Sequence, residues 1–131
     1  MEISREFHKE IGDMHTVLSW KVKAKSVSIR LPGDASAIYS EVIDRVVVEI
    51  YPDKKIYIYD SLGNYLCEYS IVDKEGYQFR GLNRNKKSKS GIALLYHPLR
   101  AGLGNEWNDT EQYEFILDEL RPVGKKLDIY R

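Results

Sequence analysis

The chain has 131 residues, a length typical of one domain, and we predict a single domain over residues 1–131. Its 20 Lys and Arg balance 20 Asp and Glu, so the formal charge is zero. That balance argues against a broadly basic nucleic-acid binder and against attachment to membranes by bulk charge. The single cysteine, Cys67, excludes an internal disulfide framework and a cysteine-based zinc site.

No segment of the sequence has the features of a membrane span or a targeting signal. The first fifteen residues are charged and lack the continuous apolar run of a secretory signal. No apolar run approaches the roughly 20 residues that a bilayer span requires. We therefore expect a cytoplasmic protein without membrane association, in which the Cys67 thiol is reduced, buried and inert.

The first predicted element is an N-terminal helix over residues 3–18. Its apolar residues are spaced by three or four positions, which places them on one helical face. Ser4 is a suitable N-cap, whereas Gly12 weakens the middle of the helix by about 1 kcal/mol relative to Ala. The apolar residues are Ile3, Phe7, Ile11, Met14 and Leu18.

From Trp20 the apolar period changes to two, which is typical of a half-buried strand. The alternation slips by one residue at Ser26, which indicates a bulge or a bend, and Pro32 and Gly33 end the strand. Three β-rich runs follow at residues 45–51, 55–59 and 65–72, separated by short polar turns. These runs predict an antiparallel meander.

Further elements are predicted in the last third of the chain. We expect a strand at 77–81, an exposed loop at 82–90 and a short strand at 91–96. A C-terminal helix would begin at Asp109, with Gln112 completing a capping box, and end at Pro122. Leu127 and Ile129 could form an edge strand. The predicted fold class is therefore α+β, a curved antiparallel sheet or small open β-barrel of six to seven strands packed with an N-terminal and a C-terminal helix.

Two short stretches resemble patterns in known families. Tyr59 and Asp60, followed by Gly63, resemble a single YD repeat of large bacterial shell proteins. The wider stretch 46–70 is similar to the small C-terminal β-barrel of Mu-type transposases. Both resemblances consist of strand–turn–strand residues, and neither assigns a functional residue to this chain.

The acidic segment between Glu106 and Glu119 suggests a protein-binding function. No basic residue interrupts it, and Trp107 lies at its edge as a candidate interface anchor. We expect an inhibitor or immunity-type protein that covers another protein with a basic surface, such as a nuclease toxin, by electrostatic steering and burial of aromatic anchors. Two alternatives are a buried Trp107 and pairing of the acids with the chain's own basic loop. The candidate residues are Trp107, Asp109, Glu111, Glu114 and Asp118.

The alternative function is nucleic-acid binding through a basic loop over residues 80–89. Clustered cations bind phosphates with release of counterions, and neighbouring aromatic rings can stack on bases. An ordinary solvated loop would have the same composition. The candidate residues are Arg80, Arg84, Lys86, Lys87, Lys89, Tyr77 and Phe79.

Catalytic and cofactor-binding motifs are lacking in the sequence. His97, which precedes Pro98, could act with an acid from the C-terminal helix in a hydrolase or transferase, but no nucleophile motif accompanies it. Gly102 and Gly104 do not form a phosphate-binding loop. His8 and His15 are seven residues apart, which is not the spacing of metal ligands on a helix. We therefore predict no catalytic residues, no cofactor and no metal.

Overall fold

The computed structural model describes residues 7–51, 53–99, 110–117 and 121–127. Strands make up 67% of this part of the chain, and it contains no helix. The strands form three antiparallel sheets within two compact units, 1–70 and 71–131. The α+β prediction is therefore wrong, because the described part of the chain is all-β; the single-domain prediction stays a prediction.

Unit 1 contains two of the sheets. Sheet 1 has the order β1–β2–β3, and sheet 2 has the order β4–β5–β6–β7. All neighbouring strands are consecutive in sequence, so each sheet is a meander built from hairpins. The strands are β1 His8–Gly12, β2 His15–Val22, β3 Lys25–Pro32, β4 Asp34–Ser40, β5 Arg45–Tyr51, β6 Lys55–Tyr59 and β7 Tyr65–Ser70.

The core of unit 1 lies between its two sheets. Alternate residues of β2, β3, β4 and β5 point inward, as the period of two dictates. Trp20, the largest member, is 2% exposed. The opposite face of sheet 2 also carries buried side chains, among them Val47 and Ile56. The core cluster consists of Leu18, Trp20, Val22, Ile29, Leu31, Ala35, Tyr39, Val46, Val48, Ile50 and Tyr59.

The chain passes from sheet 1 to sheet 2 at a sharp corner centred on Gly33. Gly33 has φ of 69°, in the left-handed region that glycine adopts without strain. The buried hydroxyl of Thr16 donates to the Gly33 carbonyl at 2.7 Å and accepts from the Ala35 N–H at 3.1 Å. Thr16 thus satisfies backbone groups that lie where one ladder ends and the next begins.

The predicted N-terminal helix is replaced by the β1–β2 hairpin, which turns at Asp13 and Met14. The residues with helical spacing do not share a face: Leu18 is buried, whereas Met14 is 90% exposed at the turn. Gly12 lies directly opposite His15, where a Cβ atom would collide with the imidazole ring. A Cβ atom at position 12 would therefore require the His15 ring to move. The residues of the predicted helix before Phe7 lie outside the described part.

The predicted break near Ser26 is a hairpin turn two residues earlier, at Lys23 and Ala24. Both residues have positive φ, as a tight turn between antiparallel strands requires. The predicted meander is confirmed as β5, β6 and β7, although β7 ends at Ser70, two residues before the predicted end. Cys67, predicted to be buried, is half-buried on β7.

Unit 2 contains sheet 3, with the order β11–β10–β9–β8. Phe79, Leu94 and Phe115 are almost fully buried, and the strand register places them on one face. The strands at 77–81 and 91–96 are confirmed but longer than predicted. The strands are β8 Tyr77–Arg84, β9 Ile92–Pro98, β10 Glu111–Phe115 and β11 Val123–Leu127.

The predicted C-terminal helix is also wrong where the structure describes it, because residues 111–115 form strand β10 between β9 and β11. Tyr113 and Phe115 point to one face of the sheet and Glu114 to the other, so the period is two. Leu117, expected in the buried helical stripe, is 39% exposed. The predicted edge strand exists as β11. Its Leu127 is buried, and Ile129 lies outside the described residues.

Candidate protein-binding surface

Three of the five predicted protein-binding residues, Trp107, Asp109 and Asp118, lie outside the described residues. The other two, Glu111 and Glu114, lie on β10. Both are engaged by other groups of unit 2, so they do not present free carboxylates to a partner. The predicted acidic site stays a prediction, without support from these two residues.

Glu111 is held between two lysines. Its carboxylate contacts Lys74 Nζ and Lys126 Nζ, each at 2.7 Å, and accepts a hydrogen bond from the Tyr113 hydroxyl at 3.0 Å. Burial by itself would raise the pKa of Glu111, but the hydrogen bonds from Lys126, Lys74 and Tyr113 lower it to about 2. Lys74 also lies over the rings of Tyr77 and Tyr113, at 4.8 and 4.7 Å from their centroids.

Glu114 is 6% exposed and contacts the predicted basic loop. Its carboxylate accepts a hydrogen bond of 2.9 Å from the backbone N–H of Lys89. A second contact nearby joins the side chains of Asn85 and Gln112 at 3.0 Å. The acidic segment and the basic loop therefore do meet, through the loop backbone at Lys89 and through the side chain of Asn85.

The predicted exposed loop is only partly correct, because residues 80–84 belong to strand β8 and Ser88 and Ser90 are buried. Residues 85–91 form the ordered connection between β8 and β9. The Asn85 N–H donates to the Gly91 carbonyl at 3.0 Å and the Ser88 N–H donates to the Asn85 carbonyl at 3.2 Å, which closes the turn. The Asn85 side chain accepts from the Lys87 N–H. The five candidate cations are exposed. They are Arg80 and Arg84 on β8, followed by Lys86, Lys87 and Lys89 in the turn.

The aromatic residues of the nucleic-acid alternative are engaged inside unit 2. Phe79 is 3% exposed and packs against Tyr96, and Tyr77 holds the Lys74 ammonium. A buried ring cannot stack on a base, so the exposed cations lack the stacking platform that the alternative requires. His97 is half-buried on β9, opposite Gln78.

A different surface, which sequence reasoning missed, lies at the turn between β6 and β7. Leu62, Tyr65 and Leu66 are 55%, 52% and 45% exposed. We call these three residues the turn–edge surface. Single exposed apolar residues are common, but three within five positions concentrate exposed apolar side chains at one turn and the strand that follows it, which is a feature of interaction sites.

The turn that carries Leu62 is closed by Asp60. The Asp60 carboxylate accepts hydrogen bonds of 2.9 Å from the N–H groups of Leu62 and Asn64 and from the Asn64 side chain. Burial would raise the pKa of Asp60, but the bonds from Asn64 and Leu62 lower it below its ordinary value. The turn therefore has a defined conformation independent of any partner.

Residues of sheet 1 contact the same turn. The Trp20 indole N–H donates a buried hydrogen bond of 2.8 Å to the Ser61 carbonyl. Gly63, with φ of 88°, lies so close to sheet 1 that a Cβ atom would stand 2.7 Å from Val27 Cγ1. Only glycine satisfies both the backbone conformation and this close approach.

Tyr65 extends the surface from the turn onto β7. Its ring makes edge contacts with Tyr57 and Tyr59, with centroids 6.1 and 5.9 Å apart, and its hydroxyl donates to Glu68 at 3.0 Å. Partial burial and the neighbouring Glu68 carboxylate raise the pKa of Tyr65. The ring is thus fixed in place while half of the side chain remains open to solvent.

Comparison with known proteins finds no matching family model, curated protein or solved structure. Among the described residues, no group of three His, Cys, Asp or Glu side chains gathers as metal ligands would. The same part of the chain has no helix long and apolar enough to cross a membrane. The local geometry of unit 1 and unit 2 is therefore the basis for a functional proposal.

Proposed function

We propose that this protein is a small protein-binding module and that the turn–edge surface contacts an apolar patch of its partner. The observation that carries the proposal is the combination of exposure and rigidity at Leu62, Tyr65 and Leu66. Burial of such side chains releases free energy in proportion to the apolar area removed from water. Because the turn is already ordered, association costs little further conformational entropy.

The chemistry of the three side chains fits a contact centre. Tyrosine is enriched among the residues that contribute most to binding, and Tyr65 offers both a ring face and a hydroxyl. The proposal keeps the protein-binding function expected from the sequence and moves the contact surface from β10 to the β6–β7 turn. An inhibitory role of the immunity type stays a prediction, which identification of the partner will test.

Site-specific photo-crosslinking tests this proposal in the cells that produce the protein. A photoreactive phenylalanine analogue replaces Leu62 in one variant and Met14 in a control variant, because Met14 is also exposed and apolar but lies on the β1–β2 hairpin. We expect a crosslinked protein from position 62 that is absent from position 14. Identical products at both positions, or none, would count against the proposal.

The crosslinked protein is then purified and its affinity measured directly. We expect Leu62→Ala and Tyr65→Ala each to weaken binding by about tenfold or more, as truncation of central contact residues does. Met14→Ala provides the matched control and leaves the affinity unchanged. An affinity that neither substitution alters would overturn the proposed surface.

A further inference from the structure

Strand β7 is an edge strand with unusually little protection against pairing. Within the described residues it pairs with β6 alone. Natural edge strands are commonly shielded by charged residues, above all lysine, which oppose the addition of another strand. Four other sheet edges, β1, β3, β8 and β11, each carry Lys or Arg. Strand β7, Tyr65–Ser70, carries neither.

The remaining sheet edge, β4, is occupied at the corner of unit 1. Its Ala35 N–H donates to the Thr16 hydroxyl, and the buried Thr16 belongs to β2. On β7, by contrast, Tyr65, Leu66, Glu68 and Ser70 are all exposed. Among the described edges, β7 therefore combines accessible apolar side chains with an absence of basic residues.

The charge of β7 indicates which charge a binding partner should carry. Glu68 is its one charged residue, and the sequence between Lys55 and Lys74 contains Asp60, Glu68 and Asp73 but no Lys, Arg or His. Lys55 pairs with Ser70 at the end of β7 remote from the turn. The turn-proximal residues of the edge, Tyr65 to Cys67, are thus uncharged, and Glu68 follows them as the one charge of the strand. A cation opposite Glu68 would complement it.

We propose that β7 binds an extended, basic segment of a partner protein, which adds to sheet 2 as a further strand. Main-chain hydrogen bonds to the open edge of β7 would supply affinity, as in other cases of strand addition. Apolar side chains of the segment would cover Tyr65 and Leu66, and a Lys or Arg would face Glu68. This inference rests on the proposed function, because the same turn–edge surface takes part in both.

A second copy of this chain fits the edge less well. Antiparallel pairing of β7 with its own copy would bring two Glu68 carboxylates into one interface without a cation, and like charges across neighbouring strands are destabilising. Self-association through β7 is therefore an alternative outcome that the experiment must detect. Sedimentation of the purified protein over a range of concentrations measures it.

A random decapeptide display library, selected against the purified full chain, tests the proposal. We expect enrichment of peptides in which β-branched or aromatic residues alternate with others and which contain Lys or Arg. Amide hydrogen exchange of the chain with an enriched synthetic peptide should slow along β7. The proposal would be overturned if no peptide is enriched, if acidic peptides are enriched, or if the peptide slows exchange elsewhere in the chain. It would also be overturned if the purified chain forms dimers and the Leu66→Lys substitution dissociates them.

Three variants identify the contact. Leu66→Lys restores the lysine that usually protects an edge strand. It should lower the affinity for an enriched peptide by about tenfold or more. Glu68→Lys should lower the affinity for the basic peptide to a similar extent. The same variant should bind a second peptide in which Glu replaces the Lys or Arg of the first. Met14→Lys, a control on an exposed apolar residue outside β7, should bind like the unmodified chain. Equal affinity for all variants would contradict binding at β7.

The peptide selection and the crosslinking experiment fail separately. If Leu62 crosslinks a partner whose binding depends on Leu62 and Tyr65 while no peptide adds to β7, the protein-binding function stands and strand addition is wrong. If position 62 captures no partner, the proposed function itself is overturned. Circular dichroism and amide spectra of each variant show whether the fold is intact.

Discussion

The indole of Trp20 and the carbonyl of Ser61, 41 residues apart in sequence, are joined by a buried hydrogen bond of 2.8 Å. This bond connects the centre of sheet 1 to the turn that presents Leu62. Because Trp20 is also a core residue in edge contact with Phe7, packing and the shape of the turn depend on the same side chain.

Replacement of Trp20 by Phe should separate these two contributions. The variant keeps an aromatic ring in the core but leaves the Ser61 carbonyl without its indole donor and leaves a cavity. We expect a loss of about 2–4 kcal/mol in the free energy of unfolding, measured by urea denaturation. Amide exchange in the β6–β7 turn should accelerate more than exchange in β8 or β9; a uniform change would contradict the specific role of this bond.

Gly63 and Gly76 form a matched pair for testing the close approach at the turn. Both have positive φ, 88° and 79°, but a Cβ atom at Gly76 meets nothing within 4 Å. Gly76→Ala should therefore cost about 1 kcal/mol for the backbone conformation alone. Gly63→Ala should cost about 1–3 kcal/mol more, because the added methyl group collides with Val27. Equal destabilisation of the two variants would contradict the close approach.

The Thr16 hydroxyl should be required for the corner between the sheets. Thr16→Val has a similar shape but leaves the Gly33 carbonyl and the Ala35 N–H without their partner. We expect a loss of about 2–4 kcal/mol in the free energy of unfolding for Val, since two backbone groups lose a buried bond. Thr16→Ser keeps the hydroxyl and should retain most of the stability. Chemical denaturation of the three proteins measures the difference.

Glu49 should make stability fall as the pH rises from about 4.5 to 7. Burial, and then the nearby Asp34, raise the pKa of Glu49 to about 7, while Lys9 opposes the shift. In this interval the folded protein retains a proton that the unfolded chain has released, so ionisation destabilises the fold. Because the residue is half-buried, we expect an effect on the order of 1–2 kcal/mol. Glu49→Gln should remove this part of the pH dependence, whereas Glu75→Gln, an exposed control, should not.

Glu111, unlike Glu49, should make stability fall as the pH is lowered. Its pKa is about 2 in the folded protein, so its contribution is present above about pH 4.5 and is lost as the pH falls towards 2. Glu111→Gln should lower the free energy of unfolding at pH 7 by about 1–3 kcal/mol and reduce the further loss on acidification. The affinity for the partner crosslinked at Leu62 should not change. A selective loss of affinity without destabilisation would favour the acidic surface predicted from the sequence.

The meander was predictable because each of its runs is rich in β-branched and aromatic residues and is followed by a polar turn. Asp60, Gly63 and Asn64 are typical turn residues, and the structure uses each of them in that way. The spacing of apolar residues alone could not show that the two segments predicted as helices form strands. Ile11, Met14 and Leu18 fit a helical face, but the same residues also fit two strands with a turn between them.

The candidate binding residues were likewise only partly predictable from the sequence. The sequence revealed the acids of the C-terminal segment, but it could not reveal that Glu111 pairs with Lys74, 37 residues away. Nor could it reveal that Phe79 is buried, since aromatic residues beside a basic loop are compatible with either face of a strand. The exposed Leu62, in an otherwise polar turn, was a signal that composition alone did not distinguish from an ordinary surface leucine.

The sequence by itself determined where the strands of the meander lie to within two residues, because side-chain alternation and turn chemistry act over a few residues. Tertiary structure decided whether ambiguous segments become helices or strands, since the β1–β2 and β10 backbones complete their hydrogen bonds only against neighbouring strands. It also decided which charges remain available, because the neutralisation of a carboxylate depends on cations brought close by the fold and not by the chain order.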